Sequence, residues 1–79
     1  VNNERYVVRA MLTDVHKMTD VEQMIHTELI ALGHPGISIS SWDVVKCTCT
    51  LTFFNVTPVH ETSITEILIE NNIKYNLIH

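Results

Sequence analysis

The chain has 79 residues, 46% of them apolar, and nine acids against five bases give it a formal net charge of −4. That length makes one domain, which buries only about 60–65% of its unfolded surface, and the apolar content argues against disorder. Two cysteines are too few for a secreted disulfide scaffold. No apolar run approaches the roughly 18 residues of a membrane span and no signal-peptide pattern is present, so a cytoplasmic protein without a membrane partner is expected.

Tyr6, Val8, Ala10 and Leu12 alternate with Arg5, Val7, Arg9 and Met11, which is the period of a strand. Thr19 followed three residues later by Glu22 has the form of a capping box. Val21, Met24, Ile25, Leu29 and Leu32 then recur at helical spacing, and Gly33 with Pro35 ends the run, so a helix is expected over about 20–32. The segment 13–18 reads as a loop, or as an extra turn before the helix.

Ile37 and Ile39 alternate with Ser38 and Ser40 in a second strand. Val45, Cys47, Cys49, Leu51 and Phe53 alternate with Lys46, Thr48, Thr50, Thr52 and Phe54 in a third. Between them, around 41–44, the apolar phase switches, and a hairpin turn is the simplest cause, although no Asn-Gly or Asp-Gly marks it. Thr57-Pro58 is a cap followed by proline at the first helical position, and Ser63 with Glu66 offers a second start. Ile64, Ile67, Leu68 and Asn71 share a helical face, and Asn71-Asn72 ends it. Ile73, Tyr75 and Leu77 alternate with Lys74, Asn76 and Ile78 in a last strand.

The order βαββαβ with right-handed crossovers predicts an α+β, ferredoxin-like two-layer sandwich spanning the whole chain. A four-stranded antiparallel sheet in the order 4-1-3-2 would have both helices on one face. The helices are expected to cover the face that holds Tyr6, Val8, Ala10, Leu12, Ile37, Ile39, Val45, Cys47, Cys49, Leu51, Phe53, Ile73, Tyr75 and Leu77. The opposite face would carry four of the five basic residues, Arg5, Arg9, Lys46 and Lys74. Thr48, Thr50, Thr52 and Phe54 would accompany them, with Trp42 as a further candidate for this face. Most acids fall in or beside the helices, so the domain reads as electrostatically two-sided.

The RNA-recognition motif shares this order of elements. The third strand here, Lys46-Cys47-Thr48-Cys49-Thr50-Leu51-Thr52-Phe53-Phe54, lacks its glycines and places only Phe54 on the open side, so the likeness is one of topology. The ACT ligand-sensing module has the same order and no matching motif residue.

No site chemistry competes with the sheet face. Cys47-Thr48-Cys49 has no histidine spaced as a zinc partner, and both thiols share the core phase of Leu51 and Phe53; neither metal nor cofactor is expected. Two glycines cannot build a phosphate loop, and Glu61, Glu66 and Glu70 read as a solvated helix face. The expectation is a non-enzymatic regulatory module. Arg5, Arg9, Lys46, Thr48, Thr50, Phe54, Lys74 and Trp42 would contact RNA or an anionic protein surface, as an antitoxin-like inhibitor does by occlusion. The alternative is a homodimer that associates through the sheet or senses a ligand there, with Val7, Met11, Phe54 and Ile78 in contact. A plainly solvated face is the competing structural reading.

Overall fold

A computed structural model describes residues 5–14 and 18–79. Its elements are β1 (Tyr6–Thr13), α1 (Met18–Ala31), β2 (Ile39–Asp43), β3 (Thr48–Val56), α2 (Pro58–Glu70) and β4 (Lys74–Ile78). The strands form one antiparallel sheet in the order β2-β3-β1-β4, as the element order requires, with β1 and β3 in the centre.

The core is a single cluster. Val8, Ala10 and Leu12 of β1 and Cys49, Leu51, Phe53 and Val56 of β3 meet Val21, Ile25 and Leu29 of α1 and Ile64 and Leu68 of α2. The helical residues recur every fourth position, which holds a narrow stripe against the sheet. Tyr75 and Leu77 pair with Leu12 and Ala10 and extend this face onto β4.

Helix ends are set by local chemistry. Thr57 caps α2, Pro58 follows it, and the residue that completes the capping box is His60. Gly33 and Asn72 take left-handed conformations after the two helices, at φ 82° and 55°. The following residues, His34 and Ile73, donate back to Leu29 and Leu68 at 2.9 and 3.0 Å, so each helix closes in a Schellman motif. α1 begins at Met18, which places Thr19 inside the helix and not at its cap; the Thr19 side chain and Lys17 lie outside the described residues. Glu22, the expected partner of Thr19, instead accepts hydrogen bonds from Ser40 and Trp42.

Two departures from the expected strands matter. The phase switch is a turn over 44–47, closed by Cys47 N–H to the Val44 carbonyl and by Lys46 N–H to Asp43 Oδ1. Val45, Lys46 and Cys47 therefore leave the third strand; Val45 is 94% exposed, and Cys47 is half-buried at φ 54°. The second strand is inverted. Ser40 and Trp42 pair with Leu51 and Cys49 on the helical side, while Ile39 pairs with Thr52 on the open side and is 53% exposed. Leu32, expected in the core, is exposed beyond the end of α1.

Candidate functional site

The open face is built in rows across the sheet. One row runs Ile39, Thr52, Arg9, Ile78; the next runs Ser41, Thr50, Met11, Asn76. Thr52 is buried on this face, which makes it part of the platform under its neighbours. Met11, Ile39, Phe54 and Ile78 are exposed large apolar side chains, and Arg9 stands among them without a carboxylate partner among the described residues.

The four cations do not form one patch. Arg5 precedes β1 at one end of the sheet, and Arg9 lies at mid-strand. Lys46 sits in the 44–47 turn at the other end, where its backbone is held by Asp43. Lys74 pairs with Thr13 across the strands, and its ammonium lies 3.4 Å from Asp14. Both groups of that ion pair are largely exposed, so the pair contributes little stability, and the Asp14 charge offsets that of Lys74. Trp42 is not on the open face: its indole donates to Glu22 across the helical side of the sheet edge. Thr48, Thr50 and Phe54 lie where the alternation placed them. Ile39, which the alternation assigned to the core, is the open-face residue missed. Its register opposite the outward Thr52 reveals it, and the sequence offers no local signal for it.

Phe54 is positioned by a bulge. The β1–β3 register shifts between Tyr6↔Val56 and Val8↔Phe53, so β3 carries one residue more than β1 there. Asn55 absorbs it at φ 56°, a conformation that asparagine tolerates better than most side chains. The extra residue lets both Phe53 and Val56 point into the core while Phe54 remains outside.

A buried histidine pair braces this corner. His34 is 3% exposed; its Nδ1 accepts from Gly36 N–H at 2.8 Å, so its Nε2 carries the proton and donates to the Phe54 carbonyl at 2.6 Å. The His60 ring lies edge-on, centroids 4.9 Å apart, and its Nδ1 accepts from Thr57 N–H. Burial depresses the His34 pKa; the Phe54 carbonyl opposes that, and His60 and Arg5 add to it. Both Nδ1 lone pairs are thus occupied by backbone, and neither ring is available as a general base through that atom.

The thiols separate. Cys49 is buried; burial raises its pKa, the neighbouring Ser40 hydroxyl lowers it, and the Glu22 charge raises it further. No cluster of three metal-ligating side chains occurs among the described residues. No helix among them is long and apolar enough to cross a membrane. No family model matches the chain, and neither a curated protein nor a solved structure matches it.

Proposed function

We propose that the chain is a non-enzymatic binding module whose open sheet face docks an acidic surface of another protein, and that it acts as an inhibitor by covering that surface. The observation that carries this is the setting of Arg9. It stands at the middle of a central strand, paired with exposed Ile78 on one side and with Thr52 on the other. Exposed Met11 lies two residues along β1 opposite Thr50, exposed Ile39 lies beyond Thr52, and exposed Phe54 is two residues from Thr52 on β3. A guanidinium within an apolar and aromatic patch has the composition of an interface hot spot, and a carboxylate is its natural bidentate partner. Exposed apolar side chains need such a role more than solvated threonines do.

RNA is the weaker partner for this face. Neutralising several phosphates needs several cations along one track. Here Arg9 is central, Arg5 is at one end, and the two lysines lie at the far end beside Asp43 and Asp14. The net charge of −4 opposes long-range attraction to phosphate. Catalysis has little support from the groups that meet in the fold, since Cys49 is buried and His34 and His60 each accept a backbone N–H.

The test compares affinity capture from a host lysate by wild type, Arg9→Glu and Phe54→Ala, with and without ribonuclease. A protein retained by wild type, insensitive to ribonuclease and released by both variants supports the proposal. Arg9→Ala should weaken the purified complex by roughly 2 kcal/mol, and Lys46→Ala by much less. Capture that ribonuclease abolishes assigns the face to RNA, a wild-type mass of two chains assigns it to self-association, and binding indifferent to both variants rejects it.

A further inference from the structure

The helical layer has a recess of its own. α1 and α2 run side by side in opposite directions, with Asp20 near Asn71 at one end of the seam and Glu28 near Ser63 at the other. An open groove of about 690 Å³ follows the seam, lined by apolar Met24 and Ile67, acidic Asp20, Glu28 and Glu70, and neutral Gln23, Thr27 and Asn71. Glu66 adjoins it beside Glu28 and Glu70. Among the described residues, no lysine or arginine lines it.

Met24 does not serve the core. The stripe of α1 that packs on the sheet is Val21, Ile25 and Leu29, whereas Met24 is 41% exposed. Asp20, Met24 and Glu28 are spaced by four and so lie along one line of α1, and Ile67 and Glu70 are spaced by three on α2. The two helices thus present an adaptable apolar strip fenced by like charge. A thioether is suited to repacking around a partner's side chain. The carboxylates concentrate negative potential at a concave surface, where charge complementarity selects the partner.

We propose that this groove docks a basic amphipathic helix of another protein. Its apolar side chains would rest on Met24 and Ile67, and its lysines or arginines would meet Asp20, Glu28 and Glu70. The line from Asp20 to Glu28 spans eight residues, about 12 Å at the helical rise, which accommodates anchors at i, i+3 or i+4 and i+7. A neutral or acidic helix of the same shape is rejected by the unpaired carboxylates. The groove and the open sheet face lie on opposite sides of the domain, so the two sites are independent.

The probe is a fluorescein-labelled lysine–leucine peptide patterned as an amphipathic helix, with the same residues scrambled so that no apolar face forms. Anisotropy titrations at low salt should show saturable binding of the patterned peptide and far weaker binding of the scrambled one. Binding should weaken about tenfold in the Glu28→Gln/Glu70→Gln double variant and about tenfold in Met24→Ala, and remain unchanged in Val45→Ala, a control in the 44–47 turn outside both sites. All these residues are exposed, so circular dichroism should show each variant folded. Absence of saturable binding, equal binding of the scrambled peptide, or indifference to the groove variants would each overturn the proposal. Equal weakening in the Val45→Ala control would also overturn it, because the loss would then not belong to the groove.

Discussion

His34 and Phe54, twenty residues apart, are joined by a 2.6 Å hydrogen bond from the imidazole Nε2 to the phenylalanine carbonyl. The bond ties the segment that leaves α1 to the bulge of β3. It fixes a neutral tautomer in a nearly inaccessible site, because the other ring nitrogen is already an acceptor for Gly36 N–H. The backbone from which Phe54 reaches the open face is therefore held from behind by the helical side of the domain.

Burial of that ring gives stability a pH dependence with a definite sign. The His34 pKa lies below the ordinary 6.5 when folded and near 6.5 when unfolded. Below 6.5 the unfolded chain therefore binds the extra proton first. Stability is full above 6.5, falls as pH drops toward the folded value, and levels off beneath it, with a slope of at most about 1.4 kcal/mol per pH unit from this group. His60 and Arg5 face the ring and oppose its protonation; the Phe54 carbonyl favours it. Urea midpoints at pH 7.5 and 5.5 should differ more for wild type than for His34→Gln. Equal differences would remove His34 from the account.

Gly36 and Gly33 both have positive φ, yet their alanine variants should diverge. An added Cβ at Gly33 meets nothing within 4 Å, so only conformational strain of roughly 1–2 kcal/mol is expected. At Gly36 the Cβ collides with the His26 ring, so Gly36→Ala should lose appreciably more. His26 is exposed and accepts from Ile37 N–H at 3.2 Å, so His26→Ala should cost only that exposed bond, and the double variant should recover the steric part. Denaturant unfolding of the four proteins reads the coupling directly.

The two thiols should react at different rates. Cys47 is half-buried in an exposed turn, whereas Cys49 is 2% exposed, and its thiolate is disfavoured by burial. Titration with a chromogenic disulfide should modify one thiol in the native protein and the second only with unfolding. Two rapid equivalents would show that the β2–β3 edge opens readily.

Leu51 sits at zero exposure on a central strand, opposite Ala10 and Ser40. Leu51→Ala should cost about 2–5 kcal/mol. For so small a domain that is a large share of the total, and the loss is measurable as a lower urea midpoint. Thr50→Ala, one position away on the open face, should cost far less.

What was legible in the sequence was local. Thr57-Pro58 marks a helix start through its own backbone chemistry, and the β1 alternation survives because both neighbours of β1 pair in phase with it. The sheet order followed from element order and handedness. The inversion of β2 was not legible, because Ser40 and Trp42 turn inward toward Glu22, a partner eighteen and twenty residues away. The 44–47 turn lacks glycine; its one signal is Asp43, whose carboxylate accepts the N–H three residues on, at Lys46, as a capping side chain does. Misplacing that turn placed Lys46 on a strand and made the face seem more basic than it is. The histidine pair escaped notice because His34 and His60 meet only after folding, although His60 lies three residues beyond a cap, where a side chain returns to the backbone.

The single tryptophan of the chain is bonded to the helix that covers the edge strand. Trp42 on β2 and Ser40 beside it share one oxygen of Glu22, so the indole is held where α1 and the outermost strand join. Its emission is consequently an optical gauge of that seam. Separation of α1 from β2 shifts the indole toward water before the central strands part, and global unfolding shifts it with everything else. Fluorescence and far-ultraviolet circular dichroism recorded on the same denaturation will coincide if the domain melts as one unit, and will separate if the helix lifts from the edge first.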